Sequence, residues 1–322
     1  MTARNPTARG GHRKRGAGRA ARIKERSRDS TGEVVRPGQS GGQYRPLSES
    51  DIQRIYETAL NLLESVGIGD PLPEILHYAL PRGCTVDDDN RLRFPRALVE
   101  DLIDISAKEY TRFAPDPVND LEVRGADVLF STAGEAVTIL DFETQRFRPT
   151  TLIDLYDATR LADQLEHIHS FGQPFIAADY SGDTFVHDVN IAYTQLAGTK
   201  KPFSLGVANV DHIEPLIALF DGYLGEEGGF LKRPFCIFSG CPILSPLRFA
   251  KDNAQVVVKV AELGLTCDVA VAPQAGATSP AALAGTLAQC FAETLACLCV
   301  VNLVRPGSPI NFGMWPFISD LR

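Results

Sequence analysis

From Thr150 onward the chain alternates helix-period stretches with short apolar runs, five times over, and this alternation restricts the fold more than any other feature. Helical segments over 152–165, 185–196, 212–223, 247–263 and 280–304 are followed by "IHSFG" (168–172), "PFSLG" (202–206), "PFCIFSG" (234–240), "CDVAVAP" (267–273) and "PINFG" (309–313). Strands separated by a helix lie parallel and are joined by right-handed crossovers. Mostly apolar runs suit strands covered on both faces. Successive strands begin about 32 to 42 residues apart. Two architectures meet these conditions, a doubly wound sheet and a (β/α)8 barrel. Neither a GxGxxG nor a GxxxxGK[ST] pattern follows any of the strands, which argues against nucleotide binding. A closed barrel needs eight units and five are countable, so the chain reads as stopping part-way round, at "GSPINFGMWPFISDLR".

Upstream the rhythm differs. "LSESDIQRIYETALNLLESVGI" predicts a helix with Ser48 as its cap, apolar residues at helical spacing from Ile52 to Leu63, and Gly67 as its end. A second helix over 73–80, the strand "RLRF" and a third helix over 95–106 complete an N-terminal helical cap, and "VLFSTAGEAVTILDFETQRFRPTT" alternates as a hairpin does. The organisation expected is a basic disordered arm over 1–45, a cap over 46–125 and a partial barrel over 126–322.

Charge separates the arm from the rest. Residues 1–45 carry twelve Lys or Arg against three acids, a balance of +9, which leaves −17 on the remainder within the net −8. An acidic body is a poor match for nucleic acid, whose phosphates require clustered bases. The arm lacks the apolar core of a secretory signal, and the greasiest stretch, "LACLCVVNLV", is too short to span a bilayer. Seven scattered cysteines fit reduced, buried thiols rather than a disulfide framework. The expectation is a cytoplasmic protein with no membrane or nucleic-acid partner.

In either architecture ligands bind at the carboxyl ends of the strands. Those ends are rich in Gly, Pro, Ser and Ala and poor in titratable groups. No nucleophile elbow, HExxH or zinc-spaced CxxC pair appears, so no metal site and no catalytic side chain is assigned. His187 opens a helix just after a strand-end loop, where its ring can reach a ligand. Cys241 lies one residue past a strand and is the one thiol taken as a site candidate. Gln274 of "APQAGATSP" is a further candidate. Glu293, inside the long apolar helix, must either face solvent or be held by a specific partner. A mouth so poor in acid and base groups suits a protein that holds a substrate while another component supplies the reactive atom.

Several segments agree in register with one family. Cys241-Pro242-Ile243-Leu244-Ser245-Pro246 (one residue longer than Cys-Pro-x-Ser-Pro), Ser279-Pro280, Ala284-Gly285-Thr286-Leu287, Ala292-Glu293, Pro306-Gly307 and Gly313 resemble the trimethylamine:corrinoid methyltransferase family. So do "FSTAGEAVTILD" and "VHDVNIAYTQLAGTKKPF", and the resemblance runs from Gln43 to Arg322. It implies a TIM (β/α)8-type barrel, here incomplete with about five βα units, behind an N-terminal helical cap and hairpin. It implies transfer of a methyl group from a methylated tertiary or quaternary amine to the cobalt(I) of a corrinoid (cobalamin) held by a separate corrinoid protein, and a homo-oligomer. A quaternary ammonium has no N–H and is best held by aromatic faces and a carboxylate. Phe238, Phe312, Trp315 and Tyr180 are the available aromatics, with Asp179 and Asp320 as anions. The family's trimethylamine branch carries pyrrolysine beyond the "DLR" region, so the resemblance leaves the particular amine open. The alternatives are a non-catalytic remnant or binding protein of this fold, and another TIM-barrel enzyme. A Schiff-base aldolase would need its lysine at a strand end, whereas Lys200 and Lys201 precede theirs.

Overall fold

The computed structural model describes residues 39–319 except Gln43, Ala133 and Ser181. The basic arm up to residue 38, Gln43 and the candidate Asp320 lie outside the described residues.

Helix α1 (Glu49–Asn61) begins where Ser48 Oγ accepts from Asp51 N, and it runs into a single wide turn, Leu62–Val66, that Gly67 ends at φ 71°. Helices α2 (Pro73–Ala79) and α3 (Arg96–Ile105) follow, and Ile68–Gly69 just before α2 pairs antiparallel with Arg91–Arg93 just before α3. Two antiparallel hairpins come next. Strands β1 (Tyr110–Arg112) and β2 (Leu121–Val123) form one, and β3 (Thr138–Leu140) and β4 (Phe147–Pro149) the other.

The alternating half holds α4 (Leu152–Gln164), α5 (Thr184–Gly198), β5 (Phe203–Gly206), α6 (Ile213–Leu224), β6 (Cys236–Gly240), α7 (Lys251–Glu262), β7 (Cys267–Val271), α8 (Leu283–Val304) and β8 (Ile310–Met314). Strands β5 to β8 form a parallel sheet in chain order. Each strand is added on the same side of the one before it, without the reversal of strand order found in a doubly wound sheet. Among the described residues the sheet stays open. The run 168–172, expected as the first strand, makes only a parallel bridge from Phe171 to Phe203 and another from Ser170 to Ser131. Four strands plus a bridged segment therefore stand where five strands were expected.

Register explains how the sheet divides its chemistry. Leu205, Phe238, Cys267 and Ile310 lie in one row across the four strands, and Gly206, Ser239, Asp268 and Asn311 in the next. In-register neighbours share a face and successive residues alternate. The first row packs on the helices, where Phe203, Phe220, Phe230, Phe235 and Phe238 form a network of tilted and edge-on rings. The second row faces a cavity.

Helix α8 has no polar face because it has no exposed one. It packs on β7 and β8 on one side and on α1, α2 and α3 on the other. It is long and apolar enough to cross a membrane, yet 83% of its apolar window is buried inside the fold. Cap and sheet thus share one core. Glu293 within α8 is fully buried and held by three donors. Ser245 Oγ lies 2.6 Å from Oε2, and Leu247 N and Gln289 Nε2 are each 2.9 Å from Oε1. The carboxylate so pins the loop after β6 to α8.

Candidate functional site

A cavity of about 610 Å3 opens at the carboxyl ends of the parallel strands. Its floor is the in-register row Gly206, Ser239, Asp268 and Asn311. The expectation of a mouth poor in titratable groups does not hold here: Arg112, Glu135, His187, Asp188 and Asp268 all line the cavity. The strand-end loops are quiet, as their composition implied. The charges come instead from the two hairpins upstream, from the start of α5 and from the middle of a strand.

Arg112 ends β1 and is 8% exposed. The hairpin that carries it is anchored by Asp120, which accepts from Ala114 N and pairs with Arg233 at 2.6 Å, while the Arg233 guanidinium also covers the Phe113 ring at 4.8 Å. Arg112 itself is left out of these contacts. Its Nε and Nη2 have no hydrogen-bond partner, and among the described residues no carboxylate lies within ion-pair distance of it.

Glu135 follows the turn before β3 and holds φ at 137°, a conformation disfavoured for a residue with a Cβ. Its carboxylate lies against the backbone of Gly206, where an added Cβ would sit 3.0 Å from Oε1. Solvent reaches it through the cavity mouth although protein crowds it on most sides. Burial pushes its carboxyl above the ordinary value, partly offset by nearby His187. Asp268 is raised by the same cause, with Arg112 opposing.

His187 belongs to a buried chain. Its Nδ1 lies 3.3 Å from Asp188 Oδ1, and His212 Nδ1 lies 2.7 Å from Asp188 Oδ2, which also accepts from Ala208 N. With Nδ1 turned to Asp188, Nε2 of a neutral His187 carries a lone pair, and no described residue meets it. Gln173, on the same wall, has an unpartnered Oε1.

Of the residues singled out from sequence, His187, Cys241 and Trp315 line the cavity. The Cys241 thiol is exposed and pushed up by its surroundings and by Glu135, while its backbone N donates to Asn253 Oδ1. Trp315 lies across Gly313, whose absent Cβ leaves room for the indole: an added one would be 2.8 Å from Nε1. The others lie elsewhere. Phe238 sits on the helix side of the sheet, in the row of Leu205 and Cys267. Phe312 is half-exposed, one position out of step with the cavity row. Asp179 accepts from Leu152 N and caps α4. Gln274 is exposed in a two-residue strand, Gln274–Ala275, paired with Phe317–Ile318, and its side chain accepts from Ser319 Oγ. Tyr180 does not line the cavity, so the aromatic surface there reduces to Trp315. Lys201 donates to three carbonyls, of Ala162, Leu165 and Ile168, which is a structural role.

Arg112, Glu135 and Asp268 were missed. The one local signal was Asp268, a carboxylate inside the otherwise apolar "CDVAVAP". Nothing near "EYTRF" marks Arg112, because its place in the cavity depends on long-range folding.

A family model described as trimethylamine methyltransferase (MTTB) matches residues 13–322. The chain is 26% identical over 278 residues to trimethylamine methyltransferase MttB of Desulfitobacterium hafniense (strain DSM 10664 / DCB-2), covering 86% of this chain and 55% of that protein. It is 26% identical over 285 residues to a glycine betaine methyltransferase of Desulfitobacterium hafniense (strain Y51), covering 88% and 59%. It therefore spans a little over half the length of these relatives. Among solved structures, that of the hydroxylamine MtmB complex superposes with a TM-score of 0.50 at 10% identity, over 84% of this chain and 54% of that one, a likeness of fold.

Proposed function

Since the chain belongs to the trimethylamine methyltransferase family, we propose that its cavity binds a methylated amine whose methyl group passes to the cobalt of a corrinoid carried by a separate protein. The observation that carries this reading is the placement of Glu135 and Asp268 in one small-molecule cavity at the strand ends. When a C–N bond breaks in methyl transfer, its electron pair stays on nitrogen. A neutral amine can leave only if that nitrogen is positively charged beforehand, so the site has to hold a cation. Glu135 and Asp268 supply the attraction, and Trp315 the one aromatic face. Their negative charge stabilises the ammonium more than the departing neutral amine. Their contribution is therefore capture and orientation of the donor rather than stabilisation of the transition state.

The corrinoid, as cobalt(I), supplies the nucleophile. A cavity of about 610 Å3 suits a small donor and not a macrocycle, which supports a corrinoid that stays on its own protein. The test is a methyl-transfer assay with the purified chain, cobalt(I)alamin, and a panel of trimethylamine and betaines. Loss of the cobalt(I) absorbance with at least one amine is expected, and no loss with any of them overturns the proposal.

A further inference from the structure

Methyl transfer sets a task that the cavity carboxylates do not perform. As the C–N bond breaks, its electron pair comes to rest on nitrogen, and the amine so formed is a base that takes up a proton. Of the titratable side chains lining the cavity, Arg112 cannot release one, Asp127 pairs with Arg124, and Glu135 and Asp268 hold the donor as anions. The Cys241 thiol is pushed up by its surroundings and by Glu135, away from proton exchange near neutrality. His187 remains, with Asp188 behind it, and an imidazole exchanges its proton with water near neutral pH.

The His187 ring is locked from one side only. Asp188, 2% exposed, sits between two imidazoles. Its Oδ1 is 3.3 Å from His187 Nδ1, its Oδ2 is 2.7 Å from His212 Nδ1, and Ala208 N donates to the same Oδ2 at 2.8 Å. These contacts fix the carboxylate, and the carboxylate fixes the tautomer and direction of His187, whose Nε2 is left without a described partner. A carboxylate on one imidazole nitrogen, with the other nitrogen turned to the reacting atom, is the arrangement of a proton-transfer pair. A lone pair for merely binding an ammonium is already present on the same wall. Gln173 donates Nε2 to Phe175 O and leaves its buried Oε1 unpartnered.

We propose that His187 gives a proton through Nε2 to the nitrogen that the methyl group leaves, with Asp188 as its positioning residue. This rests on the methyl-transfer reading and adds a step to it. The methyl group passes to cobalt(I), the electron pair of the new bond coming from the cobalt, while the C–N pair stays on nitrogen. That pair takes the proton from the imidazolium Nε2, which leaves a neutral His187 and an ammonium product. His187 regains a proton from solvent through the cavity mouth once the product has gone. The charged and titratable groups facing the ring are Asp188 on its own helix, Glu135 before β3, His212 before α6, and Arg112, Cys241 and Asp268 across the cavity.

The test compares the full chain with His187→Gln, which keeps a hydrogen-bonding group and cannot carry the proton, in methyl transfer from trimethylamine and glycine betaine to cobalt(I)alamin. The variant is expected to lose about a hundredfold or more in kcat, with donor KM within roughly threefold of wild type. In the wild type kcat is expected to fall as pH rises through the imidazole range, because the acid form is lost, and to be slower in D2O. Both dependences disappear in His187→Gln, and Asp188→Asn moves the falling limb to lower pH. A purely structural role for the ring would produce none of these. Independently of turnover, the Nε2 resonance of protein labelled with 15N-histidine, assigned by its loss in His187→Gln, is expected to shift when trimethylamine is added. An unmoved resonance, or a wild-type kcat that is flat with pH, overturns the proposal. Equal kcat in wild type and His187→Gln sinks this role and keeps methyl transfer, whereas a wild type that demethylates no amine sinks both.

Discussion

Glu293 and Arg112 are both buried charges, and the fold treats them in opposite ways. Glu293 sits in the middle of α8 with three donors converging on it from the helix and from the loop after β6. Arg112 sits on the cavity wall with two of its nitrogens unanswered. A buried charge satisfied from within holds a structure together, whereas one left open is held ready for something outside. The difference separates a charge answered inside the fold from one that the fold leaves open.

The contrast is most easily broken at its structural end. Glu293→Ala strands Ser245 Oγ, Leu247 N and Gln289 Nε2, and should cost roughly 3 kcal/mol or more in urea unfolding. Glu293→Gln keeps an acceptor and should cost less. If Glu293→Ala unfolds at the wild-type urea midpoint, the carboxylate does not clamp the loop to α8. At the other end, Arg112→Met should leave the unfolding midpoint unchanged or raise it, since it removes an unanswered cation. A large stability loss in this variant would move Arg112 to the structural side of the comparison.

Smaller effects bear on the binding side alone. Glu135→Gln should weaken binding of a cationic ligand by roughly fivefold, the scale of a charge pair open to solvent, with the fold intact by circular dichroism. In the wild type both cavity carboxyls have raised pKa values, so they attract cations only above that raised range. Cation affinity should therefore fall as pH drops toward it, and should do so before the ordinary carboxylate value of about 4 is reached. A pH-independent affinity down to that value would show that neither acid holds the ligand. The smallest change concerns the hairpin of β3 and β4, tied to α4 by Arg148 bridging Asp141 and Asp154. The Asp154 carboxyl is held down to about 2, so its contribution is present above its unfolded value near 4 and is lost as pH falls toward 2. Asp154→Asn should cost roughly 1 kcal/mol or less at neutral pH and a smaller amount at pH 2, read from thermal unfolding.

Much of the alternating half was legible because period and punctuation are local. Strand 202–206 became Phe203–Gly206, and helix 185–196 became Thr184–Gly198. The segment 168–172 shows where this ends. Its apolar run looks like the other strands, but pairing is a property of neighbours, and here it extends to single bridges. The site was less legible for the same reason. His187, Cys241 and Trp315 could be reached from sequence because each lies shortly after the carboxyl end of a strand-like run. Arg112 and Glu135 arrive from hairpins of another architecture, upstream of the regular repeat. Phe238 failed as a ligand contact on parity alone, since one step along β6 separates the ring network from the cavity.

The row formed by Gly206, Ser239, Asp268 and Asn311 has a consequence for how such a cavity can change. Each strand contributes one position at the same height, and backbone hydrogen bonds fix that height whatever side chain stands there. Ser239, Asp268 and Asn311 can therefore be rewritten one at a time without touching the ring network on the opposite side, whereas Gly206 is tied to Glu135, whose carboxylate fills the space a side chain would need. The lining of the cavity and the packing that holds the sheet lie on opposite faces of the same four strands, so one can change while the other is kept.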